Sequence, residues 1–557
     1  MPDMQKNRPP KKDDFLVQGA ILAIAAVITK IIGVVYRIPL TNILGNEGNG
    51  FYGYAYEIYA MVLMLSSFSL PIAVSKLVSA RMARRQRRNA FRVFLCALVF
   101  SLIVGFISAL AIFLGADAIS TNMMKSPLSA YALKVLAPGL LIVSVLGVLR
   151  GYFQGLGTMV PTALSQVFEQ IINAVVSIAG AAVLFKIGIK AGKEKGIELL
   201  GPAYGAAGGT IGTVAGALIA LLFLVFVFWI YRHVIRRQIR SDRAKRQESY
   251  GHILTILLIT IAPVVFSTAI YNINQILDLT IFNFIMDAQG FVEKEYMALQ
   301  GIYTGKYNTL INVPLAMANG LAASVIPSLT VALASRKRTL IHEKISQTMR
   351  FTMLIAIPCF VGFIVLASPL MVLLYNDSSK TPAILLASGA VTVILYSWST
   401  VSNSILQGLD KMSVPAKNAA ISLLFHIVAL LIMLVVFKMG IYALVGSNIV
   451  FGVCMCMLNE RAIHKACGYH QEILFTFVRP LLAAVIMGVV TYAVYLCLDL
   501  LIGGRFIPTC ISVFIAVIVY AAAILKLGVL TAKEIISFPQ GRKIVRLCRK
   551  FHLFPSE

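Results

Sequence analysis

Two copies of one short phrase decide the fold of this chain. Residues 154–161 read Gln-Gly-Leu-Gly-Thr-Met-Val-Pro, and residues 407–415 read Gln-Gly-Leu-Asp-Lys-Met-Ser-Val-Pro with one added residue. The copies begin 253 residues apart, and each separates two long apolar segments. Residues 75–84 and 328–336 form a weaker echo at the same offset, an apolar helix running into a basic loop. Such repeats in a membrane chain predict two halves that rock around a central site, as in a transporter.

Composition indicates a membrane protein. Of the 557 residues, 59% are hydrophobic and only 13% are charged, and the mean hydropathy is +0.85. A soluble chain carries about a quarter charged residues. Apolar stretches of about 20 residues or more, enough to cross ~30 Å of hydrocarbon, recur throughout. We therefore predict an all-α polytopic membrane protein with fourteen transmembrane helices. The predicted spans are residues 15–38, 51–79, 90–115, 130–153, 160–186, 204–231, 252–286, 300–334, 350–375, 382–407, 415–438, 441–459, 474–499 and 504–527.

The net charge of +26 follows membrane topology. Lysine and arginine crowd into alternate loops, near residues 81–92, 232–246 and 336–344, and into both terminal segments. The positive-inside rule places these loops and both termini in the cytoplasm, as an even number of spans requires. The charge is therefore not an indication of nucleic-acid binding.

Several function classes are excluded or disfavoured. The first apolar segment is too long for a cleavable signal peptide and has no small-residue cleavage site after it. The eight cysteines form no CxxC pair and no zinc spacing. The chain has no Walker A motif, no GxGxxG after a strand and no soluble domain for a nucleotide, which excludes an ATP-driven pump for this chain alone. We expect no cofactor, no metal and no catalytic residue.

The repeat divides the chain into two parallel six-helix lobes, followed by two helices that have no partner in the repeat. The predicted order is a cytoplasmic basic N-terminus at 1–14, a first lobe at 15–231, a basic inter-lobe loop at 232–251, a second lobe at 252–466, spans thirteen and fourteen at 474–527, and a cytoplasmic basic tail at 528–557. The tail either lies on the inner leaflet as an amphipathic helix or is attracted there by charge alone.

Charged residues inside spans each cost ~2.5–3.5 kcal/mol on insertion and require an explanation. Lys30 lies ~22 Å along the first span, so it either faces an aqueous cavity or snorkels outward. Glu57, Asp278 and Lys306 also fall in the outer halves of their spans. The four residues occupy spans one, two, seven and eight, which are equivalent in the two lobes. They predict a polar layer around a central cavity. The alternative is that they form two separate ion pairs, Lys30–Glu57 and Asp278–Lys306, which only hold helices together.

Other charges lie near the membrane surfaces. Arg37, near the outer interface, either anchors the helix or faces the cavity. Four residues lie within three turns of the cytoplasmic ends: Lys76, Arg81, Arg150 and Glu169. We expect these to snorkel to lipid headgroups, or else to form an inner mouth that attracts an anionic headgroup. Pro71 is predicted to kink the second span.

Four stretches resemble one family. Residues 45–52, 69–79, 149–155 and 161–170 resemble the SpoVB/YtgP branch of the MurJ-like flippases, which belong to the multidrug/oligosaccharidyl-lipid/polysaccharide (MOP) exporter superfamily. The resemblance extends over about residues 15–530. It implies fourteen helices, a V-shaped pair of lobes and a cationic cavity lined by spans one, two, seven and eight. It also implies that spans thirteen and fourteen form a groove for a lipid tail.

The resemblance further implies a substrate and a role for Lys30. The family carries lipid II, an undecaprenyl diphosphate bearing a disaccharide-pentapeptide. Residues 29–33 resemble the family's first-helix pattern of Ser-Arg, two apolar residues and Gly, so Lys30 is implied to contact the diphosphate. By strict spacing, the position of the family's second arginine in this helix is occupied by Tyr36, and Arg37 follows one residue later. The acidic residue that the family has just after the first span has no strict match here, although Glu47 is nearby. The implied partners are the bilayer and the cell-wall or sporulation machinery. The protein is expected to be a monomer in the bacterial cytoplasmic membrane.

We therefore predict a flippase for an undecaprenyl-diphosphate-linked glycan, with lipid II as the first candidate. The predicted substrate-binding residues are Lys30, Arg37, Glu57, Lys76, Arg150, Glu169, Asp278 and Lys306. Three alternatives remain: a flippase for another lipid-linked polysaccharide unit, a cation-coupled multidrug exporter of the same superfamily, and a non-transporting scaffold. An exporter of cationic drugs would have a cavity dominated by acids and aromatics.

Overall fold

The computed structural model describes residues 12–67, 69–240, 242, 247–334, 337–502, 505–529 and 545. Within these ranges the chain is almost wholly helical and has no β-strand. The α-helices are α1 (Lys12–Ser66), α2 (Leu70–Ala83), α3 (Arg87–Ala118), α4 (Ala130–Gly155), α5 (Val160–Lys195), α6 (Leu200–Arg240), α7 (Tyr250–Ala288), α8 (Glu293–Gly301), α9 (Asn308–Ala334), α10 (Arg338–Val365), α11 (Ala367–Tyr375), α12 (Lys380–Gly389), α13 (Val391–Gly408), α14 (Ser413–Leu431), α15 (Tyr442–Cys467), α16 (Arg479–Ile502) and α17 (Phe506–Lys526). A π-helical segment, Ile302–Tyr307, joins α8 to α9.

Twelve helical runs among the described residues are long and apolar enough to cross a membrane. One of them, Ile24–Ala83, has 60 residues. About 20 residues of helix suffice for one crossing, so this run is long enough for both the first and the second predicted spans. The all-helical polytopic fold is confirmed, whereas the count of fourteen and the cytoplasmic termini stay predictions.

Helix α1 is kinked at Gly45, between the first two predicted spans. Gly45 has φ 67° and ψ −173°, a conformation outside the helical region. The side-chain amide of Asn49 donates hydrogen bonds to the carbonyls of Thr41 (2.9 Å) and Gly45 (2.6 Å). A kink removes helical partners from nearby carbonyls, and Asn49 replaces them. A second interruption follows where α1 ends at Ser66 and α2 begins with Pro71 in its first turn.

Gly45→Ala is expected to lower the free energy of unfolding by about 1–3 kcal/mol, because this backbone region is nearly restricted to glycine. The loss would be measured as a lower melting temperature of the detergent-purified protein. Gly251→Ala is the matched control, since an added Cβ there meets no atom within 4 Å. Equal melting temperatures for the two variants would contradict the expectation.

The two copies of the repeated phrase form the same turn. After α4, the Thr158 amide donates to the Phe153 carbonyl and the Gly157 amide to the Gln154 carbonyl, and Gly157 has φ 87°. After α13, Lys411 donates to Leu406 and Asp410 donates to Gln407, with Asp410 at φ 60°. This pair of bonds around a left-handed residue is the Schellman ending of a helix. Residues 154–161 and 407–415 therefore end one helix and begin the next in the same way.

In each half of the sequence, the weaker repeat (residues 75–84 or 328–336) packs against the repeated phrase (residues 154–161 or 407–415). A Cβ added to Gly155 would lie 2.6 Å from the Cβ of Val78 on α2, and a Cβ added to Gly408 would lie 2.9 Å from the Cβ of Leu329 on α9. In both places the repeated glycine permits close approach of the two helices. The two repeated sequence features thus form one repeated helix contact.

The chain divides into two compact units, residues 1–305 and 306–557. The first unit has an apolar core in which α2, α3, α4, α6 and α7 meet. The second has a core built from α9, α10, α13 and α15. The predicted lobe boundaries at 231 and 252 stay predictions.

Candidate functional site

The kink in α1 brings a cation against aromatic rings. The guanidinium of Arg37, before the kink, lies over the ring of Tyr52, after it, at 4.4 Å from the ring centroid. Tyr52 stacks in parallel on Tyr56, and the positive charge of Arg37 acts on the Glu57 carboxylate. A planar guanidinium can stack on an aromatic face and can also bind a carboxylate or a phosphate through its edge N–H groups.

Lys30 and Arg37 lie on the same face of α1. Seven residues at ~100° each return the helix almost to its starting direction. Gly33 lies between them on this face, and a Cβ added to Gly33 would lie 3.3 Å from the side-chain amide nitrogen of Gln170 on α5. Lys30 is exposed.

Arg150 on α4 and Glu169 on α5 form an ion pair. The Nη2 of Arg150 lies 2.6 Å from Oε2 of Glu169, and its Nε donates to the Ser165 hydroxyl at 3.0 Å. The charge of Glu169 also acts on Tyr59 of α1. Residues 154–161 form the turn between α4 and α5, and the two charges lie on either side of this turn. They bind each other and do not snorkel as separate charges.

Together these side chains form what we call the first-unit polar cluster. Its members combine two cations, two carboxylates, four phenols and a carboxamide, contributed by α1, α4 and α5. They are Tyr36, Arg37, Tyr52, Tyr56, Glu57, Tyr59, Arg150, Glu169 and Asn173. The Asn173 amide donates to the Tyr36 hydroxyl at 3.3 Å and so links α5 to α1. The cluster can bind an anion at Arg37 while its tyrosine hydroxyls bind polar groups of a ligand.

In the second unit, Lys306 is buried in the π-helical segment and pairs with Asp377. Its Nζ lies 2.5 Å from Oδ2 of Asp377, and the other carboxylate oxygen accepts a hydrogen bond from the Ser379 amide at 2.8 Å. π-Helical segments occur often at functional sites. Sequence analysis missed Asp377 because it lies 71 residues away in a short loop after α11.

The Asp377 carboxylate has a shifted pKa. Burial raises the pKa of Asp377, but hydrogen bonds from Lys306 and Ser379 outweigh burial and hold the pKa below its ordinary value of 3.8. A lowered pKa means that the pair contributes its full stability above about pH 5 and loses it as the pH falls through the folded-state pKa.

The stability advantage of the wild type over Asp377→Asn is therefore expected to be constant from pH 8 to about pH 5 and to shrink below about pH 4. Melting temperatures of both proteins across this range would measure it. An advantage that grew as the solution became more acidic would have the wrong sign for this pair.

The remaining predicted residues are placed separately. Lys76 is exposed on α2, and Asp278 is fully buried on α7. Among the described side chains, Lys30 and Glu57 form no ion pair with each other. The alternative of an isolated Lys30–Glu57 ion pair therefore does not hold.

The expectation for Arg81 was wrong. Arg81 is only 7% exposed, and its Nε lies 3.0 and 3.1 Å from the two carboxylate oxygens of Glu248. The backbone amide of Glu248 in turn donates to Asn89 of α3. The inter-lobe loop is thus fastened to α2 and α3, and Arg81 forms an ion pair instead of reaching lipid headgroups.

The fold is that of a multi-pass integral membrane protein. The family model described as "Polysaccharide biosynthesis protein" matches residues 16–333, more than half of the chain. The chain therefore belongs to the polysaccharide biosynthesis protein family. For a bacterial protein, such a fold places it in the cytoplasmic membrane.

Two relatives come from Bacillus subtilis (strain 168). Lipid II flippase MurJ is 25% identical over 433 residues, covering 75% of this chain and 76% of the relative. Stage V sporulation protein B is 25% identical over 454 residues, covering 82% and 84%. The predicted resemblance to MurJ-like and SpoVB-type proteins is confirmed.

Two solved structures share the fold. Lipid II flippase MurJ in an inward closed conformation superposes with a TM-score of 0.62 at 14% identity, over 90% of this chain and 98% of that one. An inward-facing multidrug resistance MATE family transporter of the MOP superfamily also superposes with a TM-score of 0.62, at 16% identity, over 80% of this chain and 98% of that one. The predicted MOP-type fold is confirmed.

Proposed function

We propose that this chain is a flippase that moves an undecaprenyl-diphosphate-linked glycan from the inner to the outer leaflet, with lipid II as its first candidate cargo. The observation that carries the proposal is the cationic face of α1 in a chain of this family: Lys30 and Arg37 point the same way, and Arg37 is held on Tyr52. A relative that matches three-quarters of the chain is a lipid II flippase.

The chemistry of the cargo matches this face. A diphosphate cannot enter hydrocarbon without groups that replace its water, and arginine and lysine supply charge-assisted hydrogen bonds. Lys30 is exposed and can meet the diphosphate first. The hydroxyls and carboxylates of the first-unit polar cluster can then bind sugar hydroxyls, which both donate and accept hydrogen bonds.

Transport would follow alternating access. A ligand shifts a protein between two states only as far as it binds them with different affinity. Binding of the diphosphate would neutralise Lys30 and Arg37 and favour closure of the cytoplasmic side, and opening on the other side would release the headgroup. In this scheme the Lys306–Asp377 ion pair of the second unit supplies a further cation for the cargo. Lys306 would release the carboxylate of Asp377 and bind a phosphate in its place.

The lipid tail requires an apolar surface. An open pocket of about 420 Å³ lies between α16 and α17, and its lining consists mainly of aliphatic side chains that include Ile486 and Ile518. This pocket lies within the stretch 474–527, for which the family resemblance implies a tail groove. We propose that part of the tail lies there during transport.

A second candidate is a cation-coupled multidrug exporter. Glu57 and Glu169 beside four tyrosines are the acid and aromatic groups expected for binding cationic drugs, and the fold is also that of a MATE transporter. The cations Lys30 and Arg37 in the same region disfavour it, because they repel a cationic ligand.

Complementation tests the proposal. The chain would be expressed in a bacterium whose only lipid II flippase can be switched off, and survivors would be counted after depletion. We expect the wild type to restore growth and Lys30→Ala to abolish rescue although the protein reaches the membrane. Lys190→Ala, an exposed lysine on α5 outside the cluster, is the control and should rescue fully.

Other outcomes separate the alternatives. Death of cells that contain the wild-type protein in the membrane would contradict lipid II as cargo. Resistance to a cationic dye that is lost in Glu57→Gln, without rescue of growth, would favour the drug exporter. Full rescue by Lys30→Ala would remove Lys30 from the mechanism.

A further inference from the structure

The end of the α16–α17 pocket at residues 526–527 carries cations that a hydrocarbon tail does not need. The pocket lining ends at Lys526 and Leu527. Lys526 is exposed and lies one turn beyond Ala522 on the same side of α17. Arg479 begins α16, seven residues before the lining residue Ile486 and therefore on its face. Its Nη1 donates to the carbonyl of Leu527, another lining residue, at 3.4 Å. Two cations from two helices thus meet at one end of an apolar pocket.

The position of Arg479 is fixed by its neighbours. Its guanidinium lies over the ring of Phe475, 4.1 Å from the centroid, and Arg350 of α10 lies over the same ring at 5.9 Å. Arg350 also donates to the Val529 carbonyl at 2.7 Å. Three cations therefore converge on residues 526–529. The hydrogen bond to Leu527 uses one N–H of Arg479, and a guanidinium carries five.

Charge balance calls for an anion here. Within the described part of the chain, neither Arg479 nor Lys526 forms an ion pair with a carboxylate. The positive-inside rule places this end of α17 at the cytoplasmic surface, where lipid phosphates lie. The pocket is open on the side where Ile486 and Ile518 are about half exposed, and a pocket of this size suits a single hydrocarbon chain. Basic pockets between helices on this side of a membrane bind phospholipid headgroups.

We propose that Arg479 and Lys526 bind the phosphate of an anionic phospholipid of the inner leaflet, whose acyl chain occupies the α16–α17 pocket when no cargo tail is present. The site does not depend on the identity of the cargo, because the cargo diphosphate is assigned to α1 in the first unit. Arg350 adds positive potential and holds Phe475 beneath Arg479. The bound lipid would bridge α10, α16 and α17.

Native mass spectrometry of the full-length protein in a neutral detergent tests the site, with phosphatidylglycerol and phosphatidylcholine of identical chains as probes. We expect the wild type to bind one phosphatidylglycerol more tightly than phosphatidylcholine. A cation near the lipid surface is worth about a fivefold change in affinity, so Lys526→Gln should weaken phosphatidylglycerol about fivefold. Arg479→Gln combined with Lys526→Gln should weaken it about 25-fold, with phosphatidylcholine unchanged.

Lys465→Gln, an exposed lysine at the end of α15, is the matched control and should leave both affinities unchanged. Lys526 is exposed and makes no hydrogen bond in the described chain, so its substitution keeps the test valid if the double variant does not fold. Equal affinities of the wild type for the two phospholipids, or an unaltered preference in Lys526→Gln, would overturn the proposal. Tight binding of undecaprenyl diphosphate at these residues without any preference for phosphatidylglycerol would assign the site to a different lipid and overturn it as well.

Discussion

Asp377→Ala is expected to lower the free energy of unfolding by about 3–5 kcal/mol, because it leaves the charge of a buried lysine uncompensated. Lys306 is 6% exposed, and its Nζ has Asp377 as its ion-pair partner at 2.5 Å. Reversible denaturation in mixed micelles, or the melting temperature in detergent, would measure the loss.

The control is removal of both charges. Lys306→Met combined with Asp377→Leu should recover most of the stability, since replacing a buried pair by apolar groups is often neutral or stabilising. The double variant should nevertheless fail to rescue flippase-depleted cells if Lys306 exchanges Asp377 for phosphate. A stable Asp377→Ala protein would show that Lys306 reaches water or another anion.

Arg37→Ala is expected to weaken binding of the lipid diphosphate roughly ten- to hundredfold, the value of one or two hydrogen bonds to charged groups. Arg37→Lys should recover only part of the affinity, because an ammonium lacks the planar fork and stacks less well on Tyr52. Binding would be measured by titrating purified protein with undecaprenyl diphosphate, and transport by survival after flippase depletion.

A second substitution separates charge from packing. Tyr52→Phe keeps the aromatic face beneath Arg37 and removes only a hydroxyl, so it should bind the diphosphate nearly as well as the wild type. If Arg37→Ala and Tyr52→Phe lost affinity equally, the guanidinium would not be the phosphate ligand. If neither lost affinity, the cationic face of α1 would have no role in binding.

The sequence could predict whatever depends on local order along the chain. Hydropathy located the helices, because any segment that crosses hydrocarbon must be apolar and must satisfy its own backbone. The repeated phrases predicted equivalent helix ends, and Gly157 and Asp410 adopt the left-handed conformation that the turn requires. Lys30 could be selected from depth alone, since ~1.5 Å per residue fixes the distance of a residue along a helix.

Partners that lie far apart in the sequence were not predictable. Arg81 pairs with Glu248, 167 residues away, and Lys306 pairs with Asp377, 71 residues away. No periodicity relates such positions, and a charge near a helix end has the same local pattern whether it snorkels or forms an ion pair. The kink at Gly45 likewise determines that Arg37 meets Tyr52, which no helical spacing within a straight α1 would allow.

The sequence by itself therefore determined that this protein is an all-helical membrane protein with an internal repeat and that particular charges lie within its spans. Tertiary structure alone decided which of those charges are paired, and it revealed the carboxylates of Asp377 and Glu248 as their partners. The physical reason is that membrane insertion is determined segment by segment by transfer free energy, whereas an ion pair depends on the packing of helices that are distant in the chain.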